Sequence, residues 1–116
     1  SFSTRRSSDL AFKTRDDQMI SPSAVAALGN AYAHIDKLDK AVSKLKEAAA
    51  LADKQSKEGV NSALSADFLL QAGKILESQG KKDDALKIYK EIKEKYVNAF
   101  IVQDQEIEKY IERVSR

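Results

Sequence analysis

The sequence predicts an all-α protein, an α-solenoid of two stacked helical hairpins closed by a C-terminal capping helix. Three observations predict it. Breakers are scarce, one Pro and four Gly in 116 residues, while strong helix formers such as Ala, Leu, Lys and Glu abound. Apolar residues recur three and four apart, the signature of one helix face. The chain also repeats itself, with Gly29 and Gly73 standing 44 residues apart in matching surroundings.

The elements follow in order. Ser1–Leu10 is unlike the rest, rich in Ser and carrying the adjacent Arg5 and Arg6. Its stretch TRRSSDL resembles a translated short-read sequencing adapter, whose tail ACA CGA CGC TCT TCC GAT CT encodes it in that frame; an ordinary Ser-rich terminal tail is the alternative. Residues 1–10 are therefore expected to be a non-native tail, with no functional weight on the arginine pair. Residues 11–21 are expected to be the remnant of an earlier helix and a loop.

Ser21-Pro22 is a helix start, since Ser can accept from free N–H groups and Pro fits the first helical position. The first helix is expected over Pro22 to His34, with Val25, Leu28, Gly29 and Tyr32 as its buried stripe. Asp36-Lys37 turns the chain. The second helix is expected from Leu38 to about Lys54, with Leu38, Ala41, Val42, Leu45, Ala48 and Ala49 facing inward. A polar insertion, 56–65, contains Gly59. The third helix is expected over Leu64 to Gln79, stopped by Gly80 in a left-handed conformation. The fourth is expected over Lys82 to Tyr96, burying Ala85, Leu86, Ile88, Tyr89 and Ile92. Asn98 is expected to cap a single fifth helix, 99–114, whose Ile107, Tyr110, Ile111 and Val114 share one face.

The self-similarity has a packing logic. Val25-x-x-Leu28-Gly29-x-x-Tyr32 aligns with Leu69-x-x-Ala72-Gly73-x-x-Leu76. Twelve residues after each Gly stands an Ala, Ala41 and Ala85, followed by Leu45 or Tyr89 and then Ala48 or Ile92. A Gly on one helix and an Ala on the next let two antiparallel backbones cross closely, while the large residues fill the grooves beside the crossing. A single hairpin cannot cover its own apolar face, so hairpins stack.

Composition excludes several functions. With 20 basic and 18 acidic residues the net charge is +2, and the signs alternate locally. There is no basic stripe of the kind that binds nucleic acid. There are no cysteines, hence no disulfide, thiolate site or cysteine nucleophile. No apolar run reaches the roughly 20 residues of a membrane-spanning helix, and no starting Met or signal-peptide pattern is present. His34 is the only histidine, without evident triad or metal partners. Asp16-Asp17 and Asp83-Asp84 are adjacent pairs that point to different faces, with no calcium loop around either. Asp83-Asp84 suits the first turn of a helix, where negative charge favours the dipole. No phosphate loop, GxSxG elbow or HExxH pair occurs. No catalytic residue, metal or cofactor is expected, and no small-molecule substrate.

The spacing resembles the tetratricopeptide repeat family. Residues 22–55 carry Leu28, Gly29, Tyr32, Ala41 and Ala48 at the motif positions, with Leu45 in place of an aromatic. Residues 66–99 carry Gly73, Ala85 and Tyr89, while Ala72 and Leu76 depart. The motif's terminal Pro is missing from both; Asp53 and Val97 stand there. The stretches SPSAVAALGNAYAHIDKLDKAV, FLLQAGKILESQGKKDDALKIYKEIKEKY and EIEKYIERV are similar to the C-terminal part of tetratricopeptide-repeat proteins of Bacteroidetes bacteria, which usually carry an N-terminal membrane helix and earlier repeats. The resemblance implies a fragment of a non-catalytic scaffold that binds other proteins or extended peptides, with no direct membrane contact of its own. It also implies that any cell-envelope location comes through an absent anchor. In the family the groove is lined by motif positions two, five, nine, twelve and thirteen. Here these are Ser23, Ala26, Asn30, Ala33 and His34, then Asp67, Leu70, Lys74, Glu77 and Ser78. Asn30 matches an Asn that some members use to hold a peptide, but Ala26 replaces the accompanying Lys. The alternative is a purely structural cap of a longer solenoid whose missing repeats do the binding.

Overall fold

Ser21 and Pro22 open the first helix of the computed structural model, which describes residues 20–116. The expectations for residues 1–10 and 11–19 lie outside the described residues. Those described form α1 (Pro22–His34), α2 (Leu38–Gln55), α3 (Leu64–Ser78), α4 (Lys82–Lys95), α5 (Phe100–Gln103) and α6 (Ile107–Ser115), with no strand among them. Packing follows chain order: α1 on α2, α2 on α3, α3 on α4, and α4 on α6. One core runs through the stack, including Leu45, Ala48, Leu69, Ala72, Ile92 and Ile107.

The two hairpin turns are built alike. At the first, Asp36 N donates to Ala33 O and Lys37 N to Tyr32 O. At the second, Gly80 N donates to Glu77 O and Lys81 N to Leu76 O. Each pair satisfies helix-end carbonyls through one left-handed residue, Asp36 at φ 64° and Gly80 at φ 78°. Gly80 is the expected stop; Asp36 occupies its repeat position without glycine's freedom.

The glycine crossings differ in what they admit. A Cβ on Gly29 would stand 3.2 Å from the Ala41 carbonyl oxygen, so α1 and α2 meet backbone to side there. A Cβ on Gly73 would overlap Tyr89 Cε1 and lie 3.0 Å from Cζ. Gly73 thus makes room for an aromatic ring. Ala41, Ala85, Leu45 and Tyr89 are all fully buried.

Four expectations are corrected. Leu28 is 44% exposed, and Tyr32 only partly buried, because no described helix covers that face of α1. Ser21 starts α1, but its side chain makes no cap bond; its backbone carbonyl accepts from Ala24 N and Val25 N instead. Asn98 does not cap, since Ala99 holds that position before α5. The single helix over 99–114 is broken, with Gln105 at φ 64° and Asp104 Oδ1 accepting from Glu106 N at 3.0 Å.

The break has a large effect on Phe100. In an unbroken helix, residues seven apart lie nearly on one face, so Phe100 would join Ile107 and Val114. Those two are 0% and 4% exposed, whereas Phe100 is 82% exposed.

Candidate functional site

The exposed Phe100 stands at the rim of an open groove between the start of α3 and α5. Ser62, Ala63, Ala66, Asp67 and Leu70 line one side, and Asn98, Ala99, Phe100 and Ile101 the other, around about 520 Å³. Its walls are mostly apolar. Leu70 and Ile101 also pack against the core, which fixes the floor, while Phe100 stands clear of it. Asp67 is the one ionisable residue in the lining. Its Oδ2 accepts from Gln71 Nε2 at 3.0 Å, and it joins none of the ion pairs among the described residues.

The residues expected from sequence to line a groove are dispersed by the structure. Asp67 and Leu70 line this one. Asn30 and His34 are exposed on α1 with Ala33 partly buried between them, and none of the three belongs to it. Ala26, at the expected clamp position, is in the core. Ser78 is exposed at the end of α3, its hydroxyl donating to Ile75 O at 2.6 Å. Phe100, Ile101 and Asn98 were not among the residues expected to line a groove; in the sequence Asn98 reads only as a helix cap, and the stripe Ile107, Tyr110, Ile111 and Val114 does not mark Phe100.

Lys74 and Glu77 serve the docking of α6. Glu77 Oε1 accepts from the Tyr89 hydroxyl at 2.9 Å and from an Arg113 terminal nitrogen at 2.8 Å. Lys74 Nζ lies 5.5 Å from the Tyr110 ring centre and the Arg113 guanidinium 4.9 Å from it, so the ring lies within cation–π reach of both cations. Tyr110 also meets Tyr89 at 5.3 Å. The Arg113 hydrogen bond, outweighing burial with help from Tyr89, holds the Glu77 carboxyl below the usual range. Burial first, and then the neighbouring Glu77 charge, pushes the Tyr89 hydroxyl up.

A second polar centre has no counterpart in the sequence reading. Asp53 is 7% exposed. Its Oδ1 accepts from Asn61 N at 2.8 Å and stands 2.7 Å from Ser65 Oγ. Its Oδ2 accepts from the Tyr96 hydroxyl at 2.5 Å and faces Lys95 Nζ at 3.2 Å. Ser65 has one hydroxyl proton to share between Asp53 and Ala49 O, which lies 2.8 Å away. Burial works against the charged carboxylate, but the donors from Tyr96, Ser65, Asn61 and Lys95 together outweigh it, and the group is held below the usual carboxylate range. Burial and the Asp53 charge push the Tyr96 hydroxyl up. One carboxylate thus ties α2, the insertion, α3 and the end of α4. The available signal was Asp53 itself, an acidic residue where the repeat motif has Pro.

Among the described residues, no three His, Cys, Asp or Glu side chains converge as a metal site, and no helix is long and apolar enough to cross a membrane. No protein-family model, curated protein or solved structure matches the chain.

Proposed function

We propose that this chain is a non-catalytic protein-binding scaffold of tetratricopeptide type, which takes an extended segment of another protein into the groove between α3 and α5. The observation that carries the reading is Phe100, a large apolar side chain 82% exposed beside an apolar floor. Fully burying such a side chain is worth about 1.5–3 kcal/mol. A partner that covers Phe100 recovers what the helix break forgoes. Asp67 and Leu70, both groove positions in the family pattern, stand on the opposite wall. The likeness to Bacteroidetes proteins with an N-terminal membrane helix extends the proposal to a cell-envelope assembly.

One observation favours the second reading, a structural cap of a longer solenoid. Val25, Leu28 and Tyr32 correspond to Leu69, Ala72 and Leu76, which are 4%, 0% and 6% exposed where α3 packs between its neighbours. On α1 the same face is less covered: Leu28 is 44% exposed and Val25 and Tyr32 are only partly buried. A helix stacked there would complete the pattern.

Site-specific photo-crosslinkers at residues 28, 87 and 100 test both readings in cells. The binding reading expects a partner crosslinked from 100 and none from 87, on the exposed side of α4. The cap reading expects crosslinks from 28 alone. Indistinguishable products from 87 and 100 would sink the groove.

A further inference from the structure

The groove's charge pattern narrows what it can hold, on the premise that the binding reading above is right. Six of its nine lining residues are apolar and two are neutral polar. Asp67 alone is charged, and only the neutral amide of Gln71 bonds it. A partner that covers Ala66, Leu70 and Phe100 also removes water from this carboxylate. An acidic partner would then be repelled. A neutral one would leave the carboxylate poorly solvated and uncompensated. A cation restores what the lost water supplied, through a charge-assisted hydrogen bond.

We infer that the groove takes an extended peptide segment in which apolar anchor side chains lie next to a lysine or arginine set against Asp67. The volume of about 520 Å³ falls in the roughly 300–1,000 Å³ range of sites that hold whole ligands. Two features favour a peptide over a small molecule. The groove is open, and no buried polar side chain lines it to fix a small ligand's orientation. The protruding phenyl ring suits the surface of a chain laid across it, as aromatic anchors do in protein interfaces.

The test selects random twelve-residue peptides displayed on phage against the whole chain and against its Asp67→Lys variant. Selected peptides are then measured by fluorescence anisotropy with their basic residue kept, changed to Gln, or changed to Glu. Lys- or Arg-bearing apolar peptides should be enriched on the wild type and Asp- or Glu-bearing ones on Asp67→Lys. The basic peptide should bind the wild type about three- to tenfold tighter than its Gln form, and Asp67→Asn should erase that difference. Phe100→Ala should weaken every selected peptide about tenfold or more. Binding that depends on Phe100 but ignores peptide charge would overturn the cationic partner and leave the groove standing. An absence of selected peptides, or binding untouched by Phe100→Ala, would overturn the groove itself. A concentration-dependent doubling of mass that Phe100→Ala abolishes would assign the groove to a second copy and overturn the inference.

Discussion

Replacing Asp53 with Ala should be among the most damaging single changes in the described residues. The substitution removes little volume. Its cost lies in what it strands. Asn61 N and the Tyr96 hydroxyl lose their acceptor, and Tyr96 is 1% exposed. Ser65 can turn wholly to Ala49 O, so it adds little. A buried donor left unpaired costs about 1–3 kcal/mol, which puts the two together at about 2–6 kcal/mol, with the smaller share from Asn61 N, which is only partly buried. For a domain of this size that lowers Tm on the order of 20 °C. Chemical and thermal unfolding followed by circular dichroism measures it. Asp53→Asn keeps one carbonyl acceptor and the shape, so it should cost less, and it remains measurable if the Ala variant does not fold. Tyr96→Phe and the double variant complete a cycle that should show coupling above about 1 kcal/mol. The pH dependence carries a sign. The folded carboxyl is held below its ordinary 3.8, so its contribution is whole above that pH and drains as pH falls through the lower folded value. The gap between wild type and Asp53→Ala should therefore narrow in acid. Tyr96 is shifted up from 10.0, so its share is whole below pH 10 and lost as pH rises further. An Ala cost under 1 kcal/mol, or a gap that stays constant from pH 7 to pH 2, would refute the reasoning.

Gly73→Ala should cost about 1–3 kcal/mol despite better helix propensity, because the Tyr89 ring it would strike is fully buried and tied to Glu77. Gly29→Ala, whose nearest neighbours lie at 3.2 Å, should cost less; the same unfolding curves would count against the packing account if the order were reversed. Asp36→Gly should stabilise by about 0.5–1 kcal/mol, since Asp36 holds φ 64° at the position Gly80 fills in the second turn. A lower unfolding midpoint for that variant would mean that the Asp side chain supports the turn.

Much of the helical framework was legible in the sequence because its signals are local. Pro22 at a first helical position sets the start of α1, and Gly80 sets the end of the second hairpin's first helix. The spacing of Gly29, Ala41, Gly73 and Ala85 marks residues that are buried at or beside close approaches. The Asp53 centre was not legible because it joins residues from 53 to 96, and no periodicity records which hydroxyl meets which carboxylate across such a separation. The partners of Lys74 and Glu77 were hidden for a related reason. The position of these two residues on α3 was correct, but α6 folds back beside them and its Arg113 and Tyr110 take them up. Position along a helix says which way a side chain points, not what comes to meet it.

Phe100 shows the limit most sharply. Its spacing to Ile107 and Val114 argues for a buried stripe, and one left-handed residue, Gln105, defeats the pattern. Gln has no particular claim to that conformation, unlike Gly or Asn. Residue 105 itself therefore does not mark the break. What holds the turn is its neighbours: Asp104 accepts from Glu106 N two residues on, a local turn that Asp favours, and Gln103 Nε2 reaches back to Val97 O at 2.6 Å. The break separates two jobs that a continuous helix would have to combine. Beyond it, α6 is free to bury Ile107 and Val114 against the hairpin. Before it, α5 keeps Phe100 and Ile101 beside Leu70 and Asp67. The turn Asp104–Glu106 thus both closes the core and leaves the groove open, so the candidate site and the end of the fold depend on the same short turn.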